Sequence, residues 1–294
     1  MRKLLLLAAL AATSITSFAQ DTTSGKWTTK VNTQLNFSQS SFTNWSGGGE
    51  DAISTTGLFS LVNKYKGAKS SLENRVELAY GLLKQEDKSP VKTDDRLELS
   101  SKYSKPAFGK FNYSSILAFR SQFAPGYANP EDTNKVSDFM APGYGIASIG
   151  LDYKPNDHFS LMVSPFTGKF TIVADEMLSD AGAYGVDPGK MFRAEIGGYL
   201  RIQYQQDVVK NVNLSTKVEV FSNYLENPQN LDINWENVIA MKVNKHISAN
   251  ISTQLIYDDD IDISLDRDGD GVDDGSGPRV QFKEVLSIGL TYSF

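Results

Sequence analysis

The sequence predicts an all-β fold: a transmembrane, antiparallel, up-and-down β-barrel of about 12 strands. Three observations predict it. The final segment, Gln281–Phe294, alternates apart from Glu284 and Val285. Phe282, Leu286, Ile288, Leu290, Tyr292 and Phe294 occupy even positions, and Lys283, Ser287, Gly289, Thr291 and Ser293 occupy odd ones. Successive strand side chains point to opposite faces, so this segment has one apolar face and one polar face. Eleven earlier segments repeat the pattern. The connections between them also alternate, short then long. Outer-membrane barrels have tight periplasmic turns and long external loops, whereas a soluble sandwich has no reason to sort its loops by parity.

The first strand is expected over Trp27–Phe37, with Trp27, Val31, Leu35 and Phe37 on one face and Thr28, Lys30, Asn32, Gln34 and Asn36 on the other. The second, about Ile53–Val62, is weaker. The third sets Leu72, Val76, Leu78, Tyr80 and Leu82 against Glu73, Arg75 and Glu77, and the fourth sets Leu97, Leu99 and Tyr103 against Arg96, Glu98 and Lys102. The fifth runs from Phe111 to Phe123, with Asn112, Ser114 and Arg120 on its polar face. The sixth (about Ile146–Tyr153) and seventh (about Phe159–Val173) are less regular, and Pro165 with Gly168 predicts a bend or bulge in the seventh. The eighth carries Arg193, Glu195 and Arg201 on its polar face, and the ninth carries Lys217 and Glu219. The tenth spans Ile233–Val243 and the eleventh Ile247–Tyr257. The expected short connections are Asn63–Ser70, Ser104–Lys110, Lys154–His158, Gln206–Asn211 and Asn244–His246. The long ones include Ser38–Ala52, Ala124–Gly145, Ala174–Met191 and Asp258–Val280.

The N-terminus fits export. Arg2 and Lys3 precede the apolar run Leu4–Ala12, and Ser17-Phe18-Ala19 supplies small residues at the cleavage-determining positions. A signal peptide over residues 1–19 and a barrel over 20–294 are therefore expected. The apolar run is too short for a spanning helix, which needs about 20 residues. Removing Arg2 and Lys3 takes the net charge from −6 to −8. That acidity argues against a nucleic-acid partner. There are no cysteines, so the ladder of a closed barrel has to supply the stability that exported proteins often take from disulfides. The 3 Trp, 13 Tyr and 16 Phe suit aromatic girdles at two membrane interfaces. The expected partners are outer-membrane lipid and, through the strand ending at Phe294, the barrel-assembly machinery.

The polar faces bear charges of both signs: Arg75, Glu77, Arg96, Glu98, Arg120, Arg193, Glu195, Arg201, Lys217 and Glu219, with Glu73, Lys102, Glu236 and Lys242 beside them. They read either as the wall of a water-filled passage or as an ion-pair network filling a narrow barrel. Eight strands just hold packed side chains and about sixteen leave a channel, so twelve does not decide. The leading expectation is a passive channel for small solutes. The alternative is a closed structural or binding barrel that acts through its external loops.

The sharpest local motif is Asp266-Arg267-Asp268-Gly269-Asp270-Gly271-Val272-Asp273-Asp274. Asp266, Asp268 and Asp270 stand at positions 1, 3 and 5 of a calcium loop, Gly271 at 6, the Val272 carbonyl at 7 and Asp274 at 9. This resembles the short Asp-rich loops of thrombospondin type-3 repeats and dockerins. It lacks the EF-hand's bidentate Glu, because Gly277 stands at position 12. Ca²⁺ ordering this external loop is weighed against a plain solvated acidic loop. In the first external loop, Trp45 beside Gly47, Gly48 and Gly49 is read as folding inward over the barrel mouth, with a ligand platform as the alternative. No enzymatic activity is expected, because His158 and His246, the only histidines, fall in short turns without a nucleophilic partner.

The blocks Asn36-Phe37-Ser38-Gln39-Ser40-Ser41-Phe42-Thr43-Asn44-Trp45-Ser46-Gly47-Gly48-Gly49-Glu50 and Gln254-Leu255-Ile256-Tyr257-Asp258-Asp259-Asp260 resemble a family of outer-membrane barrels from Bacteroidetes-type bacteria, filed as a domain of unknown function. The resemblance spans essentially the mature chain. It implies the fold and the location and supplies no catalytic residues.

Overall fold

The computed structural model describes residues 26–41, 51–85, 88–127, 133–265 and 274–293. The signal-peptide reading, the Trp45 block and Phe294 lie outside them. Twelve strands close into one antiparallel barrel in which each pairs with its sequence neighbours. They are β1 Lys26–Ser40, β2 Ala52–Lys66, β3 Ser71–Gln85, β4 Val91–Pro106, β5 Phe111–Ser121 and β6 Gly143–Tyr153. Then follow β7 Phe159–Ile172, β8 Phe192–Val209, β9 Val212–Asn223, β10 Asp232–Lys242, β11 Ile247–Tyr257 and β12 Gln281–Ser293.

All twelve expected strands are present, and most run further than their amphipathic pattern. β4 begins at Val91 and β8 ends at Val209. A wall facing lipid must pair every backbone N–H and C=O internally, so pairing continues after the side-chain pattern fades. The short connections shrink accordingly, to 67–70, 107–110 and 210–211. β5 departs the other way and stops at Ser121 rather than Phe123. The Phe123 and Ala124 N–H groups donate to the Asp95 carboxylate at 2.7 and 3.0 Å, which draws the chain off the sheet.

The bulge in β7 falls at Pro165. Val163 pairs with Leu151 and Phe166 with Ile149, so two residues of β7 stand against Gly150 alone. Pro165 has no N–H to lose from the ladder. Gly150 is required there, because a Cβ would collide with the Val163 carbonyl and the Ser164 backbone. The bulge also shifts parity: Met162 and Ser164 point inward before it, and Thr167, Lys169 and Thr171 after it.

The outside is apolar. Leu117, Ile149, Phe166, Leu286, Ile288 and Leu290 are all more than 60% exposed, which a lipid surface explains and water does not. Aromatic pairs mark both rims. Trp27 meets Tyr65 at 5.1 Å and Phe111 meets Tyr153 at 4.9 Å at the end with the short turns, and Phe170 meets Phe192 at 6.1 Å near the long loops. The protein is a transmembrane barrel of the outer-membrane type.

The closing seam differs from the others. β1 and β12 share only the rows Asn32–Asn36 with Gly289–Ser293, whereas β1 and β2 pair along their whole length. The described pairing rows of this seam end at Asn36 and Gly289.

Candidate functional site in the lumen

Alternation sends every second side chain inward, and the inner surface divides into two sectors. Ile116 of β5, Met162 of β7, Tyr199 of β8 and Phe221 of β9 form a packed apolar cluster. The wall of β10–β12 and β1 carries polar side chains instead, including Gln34, Asn36, Asn234 and Gln254.

An ion-pair belt crosses the lumen. Arg120 of β5 lies 2.6 Å from Glu98 of β4, 3.5 Å from Glu219 of β9 and 3.2 Å from Glu236 of β10. Lys217 of β9 lies 3.3 Å from Glu98 and 3.2 Å from Glu236. β5 and β10 have four strands between them one way round the barrel and six the other, so these contacts bridge it almost diametrically. Tyr199 donates its hydroxyl to Glu219, and Asn234 donates to Glu236 at 2.9 Å. The belt thus satisfies its carboxylates with cations and neutral donors together, the condition under which buried charge is tolerated.

Of the charges singled out from sequence, Glu98, Arg120, Lys217 and Glu219 form this belt. Arg201 joins it at 3.9 Å from Glu219, and Arg96 lies in the same wall with its Nε buried and without a hydrogen-bond partner. Arg75 and Glu77 pair at 3.3 Å nearer the short turns, with Glu73 and the more exposed Lys64. Arg193 and Glu195 pair at 3.3 Å near the long loops. Of the calcium-loop residues, Asp266, Asp268, Asp270 and Val272 lie outside the described residues, and Asp274 is exposed. Among the described residues no group of three His, Asp or Glu is placed to hold a metal ion.

Above the belt lies a cavity of about 460 Å³. Glu98, Arg120 and Glu219 line its floor. Tyr144, Ile146, Phe221 and Asn234 line its walls, and Ser137, Pro142, Tyr184 and Ile261 from the long loops line its upper part. Lys169 enters it from β7, 2.6 Å from Asp232, 3.4 Å from Asp258 and 3.6 Å from Glu195, with its ammonium 5.4 Å from the Phe221 ring centroid. The sequence reading missed this group. Lys169 lies beyond the bulge that resets parity, and Asp232 and Asp258 stand at strand ends, where alternation carries no signal.

Two loops close over the cavity. Val173, Leu178 and Val186 pack with Ala141 in a small core beside Tyr184. The helix α1, Glu176–Asp180, is capped by Asp175, which accepts from the Leu178 N–H at 3.1 Å. Tyr184 donates to the Val136 carbonyl at 2.5 Å, and burial pushes its hydroxyl up to about 12, so it stays a donor at neutral pH. Lys135 ties the loops together by donating to Asp138 at 2.6 Å and to Asp175 at 2.7 Å. Those bonds hold both carboxyls below their usual range and the ammonium above its own. For carboxyls lowered on folding, the stabilisation is present above the unfolded value and is lost as pH falls through the folded one. The tie therefore holds at neutral pH and loosens below about pH 4. Hydrogen exchange at the Leu178 amide, corrected for intrinsic rate, is expected to lose protection over that range. Protection unchanged down to about pH 2, below the reference range of carboxyls, would refute this account of the tie.

Residues 37–127 match a family model described as "Protein of unknown function (DUF3078)". The matched stretch contains nearly all of the Asn36–Glu50 block and covers about a third of the chain. It supports the resemblance to an uncharacterised barrel family and carries no restriction to one bacterial group. No curated protein matches the chain. Among solved structures, the COG4313 outer membrane channel from Pseudomonas putida F1 is similar at a TM-score of 0.40 and 11% identity, over 96% of this chain and 100% of that one. The translocator domain of the autotransporter NalP from Neisseria meningitidis is similar at 0.34 and 9%, over 100% and 96%. OmpT, an outer membrane protein of Vibrio cholerae, is similar at 0.33 and 9%, over 96% and 100%. Likeness at this level says nothing about activity.

Proposed function

We propose that this protein is an outer-membrane barrel whose lumen is closed at mid-height and which binds a small solute in the chamber above the closure. One observation carries the reading: Arg120 and Lys217 hold carboxylates from β4, β9 and β10 together across the lumen. The packed cluster of Ile116, Met162, Tyr199 and Phe221 fills the adjacent sector. The chamber's volume falls within the range usual for small-molecule sites, and it joins apolar walls to a few convergent polar groups.

A passive channel for small solutes is the second reading. It draws support from the half-open charges below the belt, where Lys64, Glu73 and Arg75 keep 52, 33 and 32% of their side-chain surface exposed. Single-channel recording in planar bilayers separates the two. For refolded protein with heat-modifiable gel mobility, a silent membrane is expected. Stable conductance steps of defined size would replace the closed-lumen reading with the channel.

A further inference from the structure

We propose that the chamber selects a small organic cation, an ammonium group carried on an apolar or aromatic body. The inference rests on reading the chamber as a binding site and names the ligand class.

The first ground is charge. Around the upper chamber stand the carboxylates of Glu195, Asp232, Asp258 and Asp260, with Glu226 at the rim. Among the described residues in contact with them, Lys169 and Arg193 supply the cationic charge. Five negative charges against two positive leave an excess of three. Low-dielectric walls strengthen the attraction such an excess exerts on an incoming cation. The floor offsets at most one of the three, because Arg120, Lys217, Arg201 and Arg96 stand there against Glu98, Glu219 and Glu236.

The second ground is the shape and chemistry of the wall. Tyr144 and Phe221 present rings to the cavity and Tyr184 reaches it from the loops. Ring faces attract ammonium groups and also accept an apolar body. Lys169 already displays the mode: its ammonium sits near the Phe221 ring with Asp232 and Asp258 as counter-charges. Only one Asp232 oxygen is engaged, by Lys169, and the Tyr144 hydroxyl makes no hydrogen bond among the described residues. A ligand ammonium beside Asp232 would therefore find an acceptor in place, with its body against Tyr144.

The test uses the refolded full chain in detergent micelles and three probes with one phenyl body: 2-phenylethylamine, 2-phenylethanol and phenylacetate. By calorimetric titration the amine is expected to bind about tenfold tighter than the alcohol, the equivalent of one charge-assisted hydrogen bond. The acid is expected to bind weakest. Raising salt should weaken the amine and leave the alcohol unchanged. In the Asp232→Asn/Asp258→Asn double variant the preference should vanish while heat-modifiable mobility persists. If that variant does not fold, the wild-type probe order and its salt dependence decide alone. Equal affinities, preference for the acid, or no binding of any probe at millimolar concentration would overturn the proposal. Conductance steps would sink the closed lumen and leave the amine preference standing, so the two failures are distinguishable.

Discussion

Replacing Arg120 with Met is expected to unlatch the lumen. The guanidinium lies within 3.5 Å of Glu98, Glu219 and Glu236, from three different strands. Its loss leaves these carboxylates facing one another with Lys217 as the main remaining counter-charge. Breaking a buried ion pair from one side costs about 3–5 kcal/mol, chiefly because the partner stays buried and unpaired. At 28% side-chain exposure, Arg120 is shielded enough for most of that to apply. Repulsion among the carboxylates should also admit water. The expected results are a lower temperature for loss of the compact gel form and conductance absent from the wild type. The pair Lys64–Glu73, 52% and 33% exposed, is the control: removing it should cost at most about 1 kcal/mol and open nothing. An Arg120→Met protein that melts and conducts like the wild type would make the belt incidental.

Gly289→Val should prevent the barrel from closing. Gly289 occupies the first of the five rows joining β12 to β1 and pairs with Asn36. A Cβ there would lie 2.5 Å from the Leu35 carbonyl oxygen and collide with the Asn36 side chain. The first obstacle is backbone, which cannot swing aside as a flexible side chain can. The seam has few other rows to absorb the shift. An unpaired peptide group in hydrocarbon costs several kcal/mol, so losing even two rows is comparable to the whole stability of many domains. The expected outcome is protein that stays in the unfolded gel position and is digested by protease in lipid. Gly57→Ala, in the β2 row opposite Leu35, is the control, because nothing lies within 4 Å of a Cβ there. A Gly289→Val protein with wild-type folded yield would show that the seam is not the weak point.

Much of the architecture was legible in the sequence. Alternation in segments such as Trp27–Phe37 and Gln281–Phe294 follows from lipid on one side of the wall and polar side chains on the other, and a two-residue period is visible without coordinates. The bulge at Pro165 was legible too, because proline cannot donate to a central ladder. Strand ends were less so. β4 extends back to Val91 and β8 on to Val209 because backbone pairing, which leaves no mark on side-chain type, continues past the apolar pattern. β5 stops early because Asp95, distant in sequence, takes the next two amides.

For the site, the sequence supplied the inward charges Glu98, Arg120, Lys217 and Glu219 and two ways to read them. Which charge meets which depends on how far each strand is displaced along the barrel. That displacement is a property of closure, and no local period encodes it. Only the tertiary structure could therefore put Arg120 beside Glu236, 116 positions away, or turn Lys169 beyond its bulge toward Asp232 and Asp258. The sequence by itself determined a twelve-stranded membrane wall, since lipid and hydrogen bonding act on every residue in turn. Tertiary structure decided that the lumen is bridged and that a chamber stands above the bridge, since both arise where side chains from opposite walls meet.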